Sequence, residues 1–122
     1  MNLKKGWVTE SIKASITQIG TPYVRPDGDH ITFYATDMWL TDERDFWHET
    51  QSRFQNDIEF EIKIKPVLEK YGIEYDPAGK KIFYSMENAT NLTQEMMAIY
   101  NFGEALNELY NIKFGSEVEN GN

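Results

Sequence analysis

Gly20-Thr21-Pro22-Tyr23-Val24-Arg25-Pro26-Asp27-Gly28-Asp29-His30-Ile31-Thr32-Phe33-Tyr34, followed by Trp39-Leu40-Thr41-Asp42-Glu43, is the stretch of this 122-residue chain that decides its fold. Thr21 to Val24 reads as an extended edge segment. Pro26-Asp27-Gly28 supplies a fixed φ and then a residue that tolerates positive φ, the chemistry of a chain reversal. Ile31 to Tyr34 is β-branched and aromatic, the composition of a half-buried strand. Alternation then places Ile31 and Phe33 on one face and Thr32 and Tyr34 on the other. Thr36-Asp37 separates this strand, His30 to Ala35, from a second, Met38 to Thr41, and so short a link implies an antiparallel hairpin. Asp42 or Asp45 next offers an N-cap oxygen to a helix running through Phe46, Trp47 and Phe54.

Upstream, Val8, Ile12, Ile16 and Ile19 recur at spacings of four, four and three. That stripe predicts a helix from Leu3 or Trp7 to Gln18, ended by Gly20 and Pro22. Downstream, Asp57 to Tyr71 carries two patterns at once. Ile58, Phe60, Ile62 and Ile64 alternate with Glu59, Glu61, Lys63 and Lys65, as in a strand. Ile58, Ile62, Lys65 and Leu68 also fall at helical spacing, with Glu59–Lys63 and Glu61–Lys65 as favourable i,i+4 pairs. Pro66 suits the interior of neither element. A helix is expected over Lys65 to Tyr71, closed by Gly72, while residues 57–65 stay open between strand and helix. Ile73 to Tyr75, the turn Asp76-Pro77-Ala78-Gly79 and Lys80 to Met86 predict a second hairpin. A last helix begins near Asn91, with Leu92, Met96, Ile99, Phe102, Leu106 and Leu109 on one face. The expected architecture is a single α+β domain over residues 1–115. It comprises an N-terminal helix, an antiparallel sheet of about four to five strands in hairpins, a central helix and a C-terminal helix. Residues 116–122 are expected to form a polar, disordered tail.

At this length there is room for one domain with one core. Hydrophobic residues at 40% and aromatics at 14% allow folding by burial alone. The absence of cysteine excludes disulfides and thiolate metal sites and fits a reducing compartment. No apolar run approaches the roughly 18 residues of a membrane span. The basic start Lys4-Lys5 is followed by Thr9, Glu10 and Lys13 rather than an apolar signal core. A cytoplasmic location is expected, that of the host cell if the gene is a phage's. Twenty acidic residues against twelve basic ones give a net charge of −8. That charge opposes binding to a phosphate backbone, and Lys63, Lys65 and Lys80-Lys81 are each surrounded by carboxylates. Direct nucleic-acid contact is not expected. An acidic surface suits instead a basic groove on a protein partner.

The order of elements and several short steps resemble a small family of bacterial and phage proteins with no established activity, domain-of-unknown-function family eighteen-twenty-eight. The steps are Gly20-Thr21-Pro22-Tyr23, the polar turn Asp27-Gly28-Asp29, the strand Ile31-Thr32-Phe33-Tyr34, Leu40-Thr41-Asp42-Glu43, then Leu68-Glu69-Lys70-Tyr71-Gly72-Ile73 and the closing helix. The resemblance covers nearly the whole chain. It departs after the paired acids, where the family's glycine is replaced by Arg44, so any tight turn there is expected to differ. The resemblance implies a fold and a phage or mobile-element setting, and no catalytic residues.

Several constellations invite chemistry. Asp27, Asp29, Asp42 and Glu43, if they converge at one end of the sheet, offer oxygen ligands to a hard cation such as magnesium. The commoner use of such residues is to shape turns and cap helices. Pro26-Asp27 with Glu61-Ile62-Lys63 has the form of the PD-(D/E)xK arrangement of metal-dependent nucleases, which needs both carboxylates on adjacent strands. Asp27 instead falls in a glycine turn. His30 and His48 are the only histidines, and neither joins Ser85 or Thr41 in a legible nucleophile–base pair. The isolated glycines make no phosphate-cradling loop.

Aromatics carry more of the functional signal. Tyr34, Trp39, Phe46, Trp47 and Phe54 exceed what one hairpin and one helix bury together, and exposed tryptophan is a typical interface anchor. The functional expectation is non-enzymatic binding of a protein partner with a basic surface, without cofactor or metal. Its sharpest form is a phage inhibitor of a host defence system, an anti-CRISPR-like protein occupying a nucleic-acid site on an effector. The expected surface is Asp42, Glu43, Asp45 and Glu49 beside Trp47 as buried anchor, with Trp39 nearby. The alternatives are a metal-dependent nuclease or other hydrolase using the clustered carboxylates, and an accessory subunit of a bacterial complex.

Overall fold

The structure, a computed structural model, describes residues 2–115. The expected tail, 116–122, lies outside the described residues. In chain order the elements are strands β1 (Val8–Lys13), β2 (Ile16–Val24), β3 (His30–Ala35) and β4 (Trp39–Thr41). Helices α1 (Asp45–Thr50) and α2 (Asp57–Tyr71) follow, then strands β5 (Glu74–Asp76) and β6 (Lys81–Ser85), a 3-10 turn (Met86–Asn88) and helix α3 (Leu92–Tyr110). The protein is α+β, with its six strands in one sheet of order β1-β2-β3-β4-β6-β5. Every neighbouring pair is antiparallel.

The expected N-terminal helix is absent. Its residues form the β1–β2 hairpin, with Val8 opposite Gly20 and Thr9 opposite Ile19. Val8, Thr9, Ile12, Ile16, Thr17 and Ile19 are all β-branched, so each restricts χ1 in a helix and fits a pleated sheet. The helical stripe dissolves accordingly: Ile19 is buried, whereas Val8 and Ile12 are exposed. Gly20 stops nothing. It lies inside β2 because a Cβ there would come within 2.7 Å of the Val8 side chain. Pro22 falls where the β2–β3 register shifts between Gly20 and Val24, a place where a missing N–H is tolerated. Thr21 to Val24 is the extended end of β2, beyond the last β1 pair at Val8–Gly20, and Val24 pairs with His30 of β3.

In α2 the helical reading of 57–65 holds along the whole segment. Asn56 caps it by accepting the Glu59 N–H at 2.8 Å, and Gly72 closes it at φ 66°. Both hairpins and the final helix form where expected, with Asn91 accepting the Gln94 N–H as cap of α3. On β3, Ile31 and Phe33 are fully buried while Thr32 and Tyr34 are partly exposed on the opposite face. The core joins Ile19, Ile31, Phe33, Leu40 and Ile82 of the sheet to Phe46 of α1, Phe60 and Ile64 of α2, and Phe102, Leu106 and Leu109 of α3. Phe33 meets Phe102 with ring centroids 4.9 Å apart. At about 25 cal/mol per Å2 of apolar surface, each such side chain contributes roughly 1.5–3 kcal/mol.

The turn after β4 passes through the left-handed region at two successive residues. Glu43 and Arg44 both take positive φ, 52° and 74°, and Arg44 has ψ 0°. Arg44 thus occupies the left-handed region that glycine enters without strain, at a cost of about 1–2 kcal/mol. Arg44→Gly is expected to stabilise the protein by about 0.5–1 kcal/mol, after the greater freedom of glycine in the unfolded chain is subtracted. A thermal melt raised by a few degrees is the expected result, and an unchanged or lowered midpoint refutes it.

Candidate binding groove on the open sheet face

Residues alternating with the core positions occupy the sheet face opposite the helices. Pairing of β4 with β6 sets Trp39 opposite Ser85 and Thr41 opposite Phe83, so Trp39 and Phe83 are diagonal neighbours there. Their rings meet edge to face, with centroids 5.4 Å apart and an interplanar angle of 77°. They line an open groove of about 530 Å3 together with Tyr75, Asp76, Glu43 and Lys81. Trp39 is 41% exposed, a large value for a tryptophan. The Lys81 ammonium lies 3.4 Å from the Glu43 carboxylate. Asp76 accepts the Ala78 N–H at 3.0 Å, which fixes the β5–β6 turn beneath it.

The six residues expected to form one acidic surface separate into different places. Trp39 and Glu43 belong to the groove. Asp42 does not: it is 1% exposed, and its carboxylate accepts backbone N–H groups from Arg44 at 3.2 Å, Phe46 at 3.0 Å and Ile82 at 2.8 Å. It is therefore a clamp joining the β4–α1 turn to β6. Burial pushes its pKa up to about 7 against the downward pull of those three donors. Asp45 is partly buried, and desolvation raises its carboxyl above the usual range against the pull of Arg25. Trp47 is partly buried against the core, with its indole N–H enclosed and without an acceptor among the described residues. Glu49 is exposed and lines a smaller cavity of about 280 Å3, with Arg25, Arg53 and Tyr110.

The carboxylates proposed for a metal do not gather. The Arg25 guanidinium lies 2.7 Å from Asp27 and 2.9 Å from Asp29, and holds the Asp27 carboxyl below its usual range. Glu61 is on α2 while Asp27 is in the β2–β3 turn, so the adjacent-strand geometry of PD-(D/E)xK is not formed. Among the described residues no group of three or more His, Cys, Asp or Glu side chains is placed to hold a metal ion. His30 sets Nδ1 3.1 Å from the Thr21 carbonyl oxygen, and His48 is exposed on α1. No helix among the described residues is long and apolar enough to cross a membrane.

Phe83, Tyr75, Asp76 and Lys81 were not legible as site residues. The alternation Lys81-Ile82-Phe83-Tyr84-Ser85 says which of them share a face, but only the β4–β6 pairing brings that face to Trp39. No protein-family model matches the chain, and neither a curated protein nor a solved structure matches it significantly.

Proposed function

We propose that this is a non-catalytic binding protein that docks a basic surface of a protein partner on the open sheet face, with Trp39 as its anchor. The observation that carries the reading is the exposed Trp39 on Phe83 in a groove rimmed by Glu43 and Asp76. Large aromatics in a pocket ringed by polar groups are where binding energy concentrates. The net charge of −8 adds long-range steering towards a cationic partner and away from bare nucleic acid. The sharpest form is an anti-CRISPR-like inhibitor that occupies a nucleic-acid-binding site of an effector.

The test is target-DNA cleavage by a panel of purified RNA-guided nucleases with and without the protein, alongside fluorescence anisotropy on labelled DNA and RNA. The expected result is inhibition of at least one effector, weakened by added salt and by Trp39→Ala, with no anisotropy change. Direct nucleic-acid binding, or inhibition indifferent to Trp39→Ala, overturns the groove. Inhibition of no effector removes the inhibitor form, and a stable complex without inhibition then favours the accessory-subunit reading.

A further inference from the structure

We propose that the occupant of the Trp39–Phe83 groove is a single basic side chain of the partner, a guanidinium, set against the Trp39 ring between Glu43 and Asp76. This inference rests on the binding role above and names the chemistry of its contact. Three features of the groove select that occupant. Its wall is aromatic: Trp39 and Phe83 meet edge to face, and Tyr75 lines the groove with them. Aromatic faces attract cations, indole most strongly and guanidinium most often.

Its rim holds two carboxylates, Glu43 and Asp76, against one ammonium, Lys81. Lys81 is already engaged by Glu43 at 3.4 Å, with both side chains more than two-fifths exposed. An exposed pair at that distance is weak and exchangeable. A guanidinium with its planar fork can take the Glu43 or Asp76 carboxylate through two parallel N–H donors, which an ammonium cannot match. Finally, the protein treats its own rings this way. Lys4, Arg53, Lys70 and Lys80 lie over Tyr100, Phe114, Tyr71 and Trp47 at 4.7–5.7 Å from the centroids. Among the described residues no cation is placed over Trp39 in this way, and Trp39 borders the groove with Phe83 and Tyr75.

The probe is an acetylated and amidated glycine peptide carrying one central arginine, titrated into the full chain and followed by the indole N–H resonances of the three tryptophans. Matched peptides carry lysine or the uncharged isostere citrulline. The arginine peptide is expected to shift the Trp39 resonance, saturating at millimolar concentration, and to leave Trp7 and Trp47 in place. Lysine should bind at least threefold more weakly, and citrulline should not saturate. Glu43→Gln and Asp76→Asn should each weaken the arginine peptide severalfold. Met38→Ala, an exposed residue of the same hairpin outside the groove, should leave binding unchanged.

Equal shifts from arginine and citrulline, shifts confined to another tryptophan, or no saturable shift each overturn the proposal. If the peptide fails while effector inhibition still depends on Trp39, the binding role survives and only the basic occupant is lost. If both fail, the groove is not the binding surface.

Discussion

Alanine at position 42 is expected to lower stability by about 3–5 kcal/mol, the largest effect of any single polar substitution in this protein. The Asp42 carboxylate accepts three backbone N–H groups in a site only 1% exposed. Truncation leaves all three donors buried without acceptors, and each unmet donor costs roughly 1–3 kcal/mol before relaxation. The backbone adds its own pair of bonds, Asp42 N–H to the Ile82 carbonyl and Asp45 N–H to the Asp42 carbonyl, both 3.1 Å. Those bonds persist in the variant but lose the side chain that fixes the turn. Against a total of about 5–15 kcal/mol for a domain of this size, the variant should melt more than 10 °C lower or fail to fold. A midpoint within about 3 °C of the parent refutes the clamp.

The same carboxyl gives a pH signature. Its ordinary pKa of 3.8 is raised by burial to about 7 in the folded protein. Between those values the native state binds more protons than the unfolded state, so this group's contribution is full below about pH 4 and is lost as pH rises through about 7. Denaturant unfolding of the parent and of Asp42→Asn at pH 5 and pH 8 isolates it, because asparagine does not titrate. The parent's margin over Asp42→Asn should be larger at pH 5. A margin that grows with pH means that the three N–H donors outweigh desolvation.

Where local chemistry determines structure, it was readable. Gly72 and Asn91 mark helix ends because a positive φ or a cap oxygen acts over three or four residues, whereas the Asn56 cap of α2 went unread. The β3–β4 and β5–β6 hairpins were readable for the same reason. The N-terminal segment misled because Val8, Ile12, Ile16 and Ile19 fit a helix by spacing, while their β-branching and the Val8–Gly20 contact belong to a sheet. Spacing cannot show that contact, since it depends on a partner strand. Pro66 weakened the helical reading of α2, yet the helix runs through it to Tyr71. The groove was half readable: Trp39 and Glu43 from one hairpin, but not Phe83 or Asp76 from the other. The two hairpins meet across some 30 intervening residues of helix and loop, a non-local pairing that no local pattern encodes. Acidic residues adjacent in sequence were likewise read as one surface, although burial sends Asp42 inward and Glu43 outward.

Trp47 decides between two meanings of the aromatic cluster, and Trp47→Ala is expected to cost about 3 kcal/mol without touching groove binding. Its ring packs against the buried core from α1, and the Lys80 ammonium covers it 5.5 Å from the ring centroid. Lys80 is held there by Asp57 at 3.3 Å, so the ring is roofed as well as floored. Truncation leaves a cavity beneath that roof, and the midpoint should fall by about 10 °C. The cost stays at the lower end of large aromatic truncations because the variant also removes the enclosed indole N–H, which has no acceptor among the described residues. Trp47→Phe separates the two contributions: it keeps most of the ring and discards the orphaned donor, so its stability should lie within about 1 kcal/mol of the parent. Below their melting temperatures both variants should bind the arginine peptide as the parent does, since Trp39 supplies the contact. A parent-like melt for Trp47→Ala together with lost partner binding reverses the assignment, making Trp47 the anchor and the Trp39 groove a bystander.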